Sequence, residues 1–246
     1  MSTRVQVWCA WCGPVFATVL FVALLLMDFL PPPSPGMSAG EVAAFWRQDL
    51  DLKRAGLVLM LLGSCLTAPF VVVVAAQLRR MEGDRPVMTW MQLIGGGLGI
   101  FAIVLPTFML AAAAYRPERD PEITQALTDL GLLPFIGNFV AATIQCLAIG
   151  VGILASRQGP QVYDRWVGYL NVWLAFAFLP GGLVLFFHGG AFGWSGVLNF
   201  WVVATIFGGW FVVMTWATLR AVRTDDVPAL AARHRVAAVQ REELPA

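Results

Sequence analysis

The sequence predicts an all-α membrane protein, a bundle of six transmembrane helices with two short amphipathic helices on its outer surface. Of its 246 residues, 59% are hydrophobic and 13% are charged, whereas a soluble domain is about 45–50% apolar and about 25% charged. The mean hydropathy is +0.73. Six apolar stretches are each long enough to cross a hydrocarbon core as a helix. They cover residues 13–31, 55–78, 88–114, 133–155, 166–187 and 197–219.

The first apolar stretch is predicted to be an uncleaved span rather than a signal peptide. Arg4 precedes it, as in a signal peptide, but LPPPSP follows it where a small-residue cleavage site would be expected. In the loop after this span, Ser38 and Glu41 form a capping-box pattern, which predicts a short helix with Val42 and Trp46 on its apolar side.

A second short helix is predicted in the next outer loop. Pro121 begins it, apolar residues recur at helical spacing, and Gly131 is its predicted end. We expect both short helices to lie on the outer membrane surface or to cover the bundle. The inner loops EGDRP and SRQGPQVYD contain the Gly and Pro typical of turns. Residues 1–220 are therefore interpreted as one transmembrane domain, and residues 221–246 as a disordered cytoplasmic tail.

The distribution of Lys and Arg predicts the orientation. With the N-terminus inside, the inner segments contain eleven Arg residues and the outer segments contain five Lys or Arg residues. The positive-inside rule then places both termini in the cytoplasm. We expect the protein to lie in the inner, cytoplasmic membrane. The net charge of +1 offers no concentrated basic surface for nucleic acid.

The spans also show a weak threefold pattern. A Trp stands at the inner end of each odd-numbered span, and a Leu-Pro pair stands at its outer end. In addition, Asn138-Phe139 and Asn199-Phe200 are each followed by a Thr-Ile pair. Three span–loop–span hairpins would explain this pattern, as would the ordinary preference of membrane helices for interfacial Trp and terminal Pro.

Neither a disulfide framework, a metal site nor a bound cofactor is expected. The chain has two His residues, too few for a multi-histidine centre. Cys9 and Cys12 form a Trp-Cys-x-x-Cys pattern that resembles a thioredoxin-type redox pair, but no βαβ pattern surrounds it. Two interfacial cysteines, free or acylated, are the alternative.

The candidate ligand-binding residues lie at the outer end of the predicted bundle and in its fifth span. His188 ends that span near the interface, and Asn171 is a polar residue within it. The outer loops add clustered charges, which could form a vestibule for an anionic or amphipathic head group. The alternative is a solvated rim of weak salt bridges. The charged candidates are Asp28, Arg54, Arg116 and Asp129.

No charged residue lies in the middle of any predicted span. Ion-coupled pumps usually bury a carboxylate there, so its absence disfavours active transport. Three hypotheses remain. The first is a protein that binds or passes a hydrophobic or amphipathic small molecule of the lipid or isoprenoid class. The second is a scaffold subunit that contacts a membrane partner or a second copy through small residues such as Gly95–Gly99. The third is an enzyme using His188, Asp28 and Arg116, which we disfavour; no catalytic residue is assigned.

Four motifs give the chain a resemblance to known proteins: LPPPSP, RPERDPE..Q.L.DLG, RWVGYLN.W and LPGGLV.FF..G.F.W. With these motifs the chain resembles a group of six-span membrane proteins of mycobacteria and related bacteria, over most of residues 8–220. The resemblance implies a six-span membrane fold. It brings no established activity, cofactor or binding residue with it.

Overall fold

The computed structural model describes residues 2–156 and 160–242, with side chains as far as residue 224. The predicted fold class is confirmed, because the described residues form helices and no strand, and six helical segments are long and apolar enough to span a membrane. Arg157, which contributes to the predicted charge asymmetry, lies outside the described residues. The six segments are Thr3–Leu26, Leu50–Glu82, Val87–Tyr115, Pro121–Ala155, Arg165–Leu185 and Gly190–Thr224.

The described residues form nine α-helices, all but α2 within these segments, and three shorter helical pieces lie in the last two segments. The α-helices are α1 Thr3–Leu26, α2 Ala39–Arg47, α3 Leu50–Ser64, α4 Thr67–Glu82, α5 Val87–Tyr115, α6 Pro121–Gly137, α7 Phe139–Ala155, α8 Arg165–Ala177 and α9 Val203–Glu242. The shorter pieces are 3₁₀ helices at Leu179–Leu185 and Gly190–Phe192 and a π-helix at Val197–Val202. Span two is thus α3 followed by α4, and span four is α6 followed by α7.

The helices pack in two groups that meet at the second span. α1 packs against α3, α4 and α9, whereas α5 packs against α3, α4, α6 and α7, and α7 in turn packs against α8. Large apolar side chains on the outward faces remain exposed, among them Trp8, Leu25 and Phe101. Exposed apolar faces on every side of a bundle suit lipid as the surrounding solvent.

α5 and α7 approach each other closely because Gly95 has no side chain. A Cβ atom added at Gly95 would lie 2.7 Å from the backbone nitrogen of Gln145 and 2.9 Å from its Cα. Such backbone-to-backbone proximity is the packing expected of small residues in membrane helices.

The outer end of the bundle, defined here as the end that carries α2, is covered by α2 and the first turns of α6. The predicted capping box is present, with Ser38 and Glu41 each bonding the other's backbone N–H. The Trp46 indole N–H donates to the Thr128 hydroxyl of α6 at 2.8 Å, and the Arg47 Nε donates to the carbonyl of Pro117 at 2.7 Å. The two predicted surface helices are therefore joined into one outer cover.

The predicted end of the second outer helix at Gly131 is wrong. α6 continues from Pro121 to Gly137. Gly131 packs against α5, where an added Cβ would lie 2.6 Å from the Leu110 side chain and 3.2 Å from the Pro106 carbonyl. The glycine therefore serves close helix packing rather than a turn, and the outer helix merges into the fourth span.

α9 continues past the predicted end of the sixth span. The segment from residue 221, for which the sequence predicted disorder, is helical as far as Glu242. Residues 243–246 lie outside the described part of the chain.

Candidate functional site

A cavity of about 170 Å³ lies in the outer half of the bundle, between its two groups of helices. Apolar side chains make most of its wall, from Leu20 and Leu24 of α1 to Ile103 of α5 and Phe207 of α9. None of its lining residues is charged. An engineered apolar cavity of about 150 Å³ in another protein holds a benzene molecule, so this cavity is large enough for a small apolar group or part of a larger lipid.

Two buried polar atoms of the cavity wall have no hydrogen-bond partner among the described residues. They are Nε2 of Gln145, in α7, and Oδ1 of Asn199, in the π-helix. The exposed fraction is 9% for Gln145 and 1% for Asn199. Buried polar atoms are nearly always paired, because an unpaired one costs about 1–3 kcal/mol. An apolar pocket with a few polar atoms is the usual form of a small-molecule site.

Spans four, five and six each have a backbone break at this cavity. Asn138 separates α6 from α7, Phe178 ends α8 before the first 3₁₀ helix, and Asn199 lies in the π-helix before α9. All three residues line the cavity. Irregular backbone at membrane depth is tolerated where it is buried in protein or lines a cavity, and π-helical turns often occur at functional sites.

A surface groove between α1 and α9 adjoins the cavity. It has a volume of about 440 Å³ and is lined by residues such as Pro14, Val22 and Gly208. Phe21 lines both the groove and the cavity. A Cβ added at Gly208 would lie 3.7 Å from the Phe21 ring, so the ring lies over the glycine. Phe21 is therefore part of the wall between the cavity and the groove.

Asn171, a predicted binding residue, has its polar atoms paired within the bundle. Its Nδ2 donates to the Val167 carbonyl at 2.9 Å and approaches the Met214 sulfur at 3.4 Å. Its Oδ1 accepts from the Trp210 indole N–H at 2.9 Å. These bonds join α8 to α9 and give Asn171 a structural role.

The structure brings two of the other predicted residues together. Asp129 of α6 lies close enough to His188 for their charges to interact. Asp129 is half-buried and His188 is exposed. This pair lies at the outer end of the bundle, where α6 meets the loop after the fifth span.

Asp28 belongs to a different cluster, around the buried ammonium of Lys53. The charges of Asp28 and Asp49 both act on Lys53, which donates to the Gln48 carbonyl at 2.7 Å and lies 4.4 Å from the ring centroid of Phe45. Asp28 and Asp49 have positive φ angles of 60° and 47°, an uncommon backbone conformation for residues other than glycine. Lys53 is thus held under the outer cover by the Gln48 carbonyl and the Phe45 ring, with two carboxylates nearby.

Arg54 and Arg116 lie at the C-terminal end of α5. Arg54 donates to the carbonyls of Ala114 and Tyr115, at 3.2 Å each, where a cation complements the helix dipole. Arg116 follows the helix and is exposed. The predicted outer residues therefore form three local arrangements, and within the described residues no hydrogen bond or ion pair joins Asp28, Arg54 or Arg116 to His188.

Sequence reasoning did not assign Gln145 and Asn199 to a site. One signal was present, because the Asn-Phe pairs at 138 and 199 stand out as a repeat, and both Asn residues lie at backbone breaks that line the cavity. Cys9 and Cys12, in contrast, lie half-buried in α1 as free thiols.

No known protein family, curated protein or solved structure matches the chain. The function is therefore argued from the site itself.

Proposed function

We propose that this protein binds or passes a hydrophobic or amphipathic small molecule of the lipid or isoprenoid class, and that this molecule occupies the cavity of the outer half-bundle. The observation that carries the proposal is the pair of unpaired buried amide atoms, on Gln145 and Asn199, in an otherwise apolar wall. An apolar wall favours a hydrocarbon group, and two polar atoms can orient one polar group of the same molecule.

The groove between α1 and α9 supports a route from the bilayer. Its wall is apolar and faces lipid, and it shares Phe21 with the cavity. A ligand that is already dissolved in the membrane would reach the cavity by displacing this ring, without crossing the outer cover. The proposed orientation has both termini in the cytoplasm and the cavity near the outer leaflet of the inner membrane, on the positive-inside rule.

The other two hypotheses have less support. A scaffold that used Gly95–Gly99 would need these glycines at its surface, but Gly95 and Gly96 already pack against α7 and α4. An enzyme at the outer end would need its charged groups free to act. Lys53 and Arg54 instead have partners within the outer cover and at the end of α5.

Two glycines on α5 offer a matched test. A Cβ added at Gly99 or at Gly97 meets no atom within 4 Å. Gly99 lines the cavity, whereas Gly97 does not line it and is exposed on the surface of the bundle. Gly99→Leu would therefore place a side chain in the cavity, and Gly97→Leu would make the same chemical change outside it.

The experiment is a native mass spectrum of each protein, purified in a mild detergent. We expect the wild-type protein and Gly97→Leu to retain a defined small molecule at fixed stoichiometry, and Gly99→Leu to lose it. A wild-type protein that carries no such molecule, or equal retention by both variants, would rule out this cavity as the binding site.

A further inference from the structure

The two unpaired atoms in the cavity wall are complementary. Nε2 of Gln145 belongs to an amide NH₂ group and is a hydrogen-bond donor, whereas Oδ1 of Asn199 is an acceptor. The orientation of the Asn199 amide is fixed, because its Nδ2 donates to the carbonyl of Phe192. Among the described residues, the cavity wall therefore contains one buried donor and one buried acceptor that are unpaired.

The other lining residues limit the charge of a group that could pair with these atoms. None of them is an acid, a base or a histidine. A carboxylate, phosphate or ammonium group in such a cavity would lose its hydration without gaining an opposite charge, which is strongly unfavourable. Asn138 also lines the cavity, but its Oδ1 accepts the backbone N–H of Ala141, at 3.4 Å. A neutral polar group is what this wall can accommodate.

A hydroxyl group matches the wall most economically, because a single oxygen both donates and accepts. We propose that the ligand carries a neutral hydroxyl group, which accepts from Gln145 Nε2 and donates to Asn199 Oδ1, while its hydrocarbon part fills the apolar cavity. This inference rests on the proposed function and narrows it to lipid-like alcohols. Charged lipids bind only if their charged part stays outside the cavity.

Three probes with the same decyl hydrocarbon chain allow the two proposed hydrogen bonds to be tested one at a time. 1-Decanol donates and accepts, decyl methyl ether only accepts, and decane does neither. Binding is measured with tritiated 1-decanol on protein in phosphatidylcholine nanodiscs, with protein-free nanodiscs as the blank, and the ether and the alkane are tested as competitors. For wild type we expect affinity to fall by about tenfold at each step from alcohol to ether to alkane, the usual effect of one unmatched buried hydrogen bond.

Each amide is tested by its own substitution. In Gln145→Met the ether and the alkane should compete equally, because the donor is gone. In Asn199→Leu the alcohol should lose its advantage over the ether, because the acceptor is gone. Gln92→Met is the matched control. Gln92 is a buried glutamine with an unpaired Oε1, and it does not line the cavity, so this variant should keep the wild-type order of affinities.

The outcomes separate this inference from the proposed function. Equal binding of the three probes, or a wild-type order of affinities in both amide variants, would overturn the hydroxyl assignment. The absence of specific 1-decanol binding would overturn it too, as expected if the amides hold water only. In each of these cases, the proposed function still holds if the mass spectrum shows a small molecule that wild type retains and Gly99→Leu loses. If wild type retains no small molecule, the proposed function fails as well.

Discussion

The close approach of α5 and α7 gives a stability prediction that can be worked out from the structure. The perturbation is Gly95→Ala, compared with Gly97→Ala two residues along the same helix. The added methyl group at Gly95 would lie 2.7 Å from the Gln145 backbone nitrogen, whereas the one at Gly97 meets nothing within 4 Å. Carbon atoms pack best at about 3.5–4.0 Å, so α5 and α7 would have to separate by roughly 1 Å at Gly95.

The expected magnitude follows from two opposing effects. Replacing a helical glycine by alanine stabilises a helix by about 0.8–1 kcal/mol, and this gain is the same at both positions. Overpacking costs about 1–3 kcal/mol, and it applies only at Gly95, where the obstructing atoms are backbone. The two variants should therefore differ in the free energy of unfolding by about 1–3 kcal/mol. At about 2–4 °C per kcal/mol for a chain of this size, their Tm values should differ by roughly 2–12 °C.

The measurement uses the buried thiol of Cys146, which is 2% exposed and becomes reactive to a fluorogenic maleimide when the bundle unfolds on heating. The other three cysteines, which are partly or fully accessible in the folded protein, are first replaced by serine. Gly97→Ala should unfold at or above the wild-type temperature, and Gly95→Ala clearly below Gly97→Ala. Equal Tm values for the two variants would refute the α5–α7 contact at Gly95.

Three further predictions concern other parts of the bundle. Trp210→Phe should lower the free energy of unfolding by about 1–3 kcal/mol, because it leaves Oδ1 of the buried Asn171 unpaired; adding Asn171→Leu should recover part of that loss. In the inner loop, burial raises the pKa of the Tyr163 hydroxyl, so its contribution to stability is complete below pH about 10 and is lost as the pH rises further. Thermal melts between pH 9 and pH 11.5 should show this loss for wild type and less of it for Tyr163→Phe. Phe21→Ala should speed the release of bound 1-decanol by about tenfold, equivalent to a barrier lower by about 1.4 kcal/mol, whereas Val22→Ala, which changes the groove alone, should release it at the wild-type rate.

The fold could be predicted from the sequence because hydrocarbon thickness sets helix length and leaves few alternatives. The six spans, the capping box at Ser38 and the start of α6 at Pro121 all follow from local rules. Gly131 shows where such rules fail. A glycine at the end of an apolar stretch is typical of a helix terminus, but here the packing against α5 decides its role.

The binding cavity was harder to predict, because its polar residues are ordinary in type and distant in sequence. Gln145 and Asn199 meet at the cavity only through the packing of the fourth and sixth spans. Charged outer residues were more conspicuous in the sequence, but Lys53 and Arg54 take partners within their own cluster. Whether an uncharged polar side chain is paired depends on its neighbours in three dimensions, and sequence periodicity does not report them.

The π-helix at Val197–Val202 has a consequence for the register of the last span. A π-turn contains an additional residue relative to an α-turn, and one residue corresponds to a rotation of about 100° around a helix axis. Deleting the exposed Trp201 would allow an uninterrupted α-helix and would turn Asn199 by about 100° relative to α9. The rest of α9 would keep its contacts with α1, whereas Oδ1 of Asn199 would leave the cavity wall. The additional residue of this π-turn, at the start of α9, is thus enough to aim the Asn199 side chain inward.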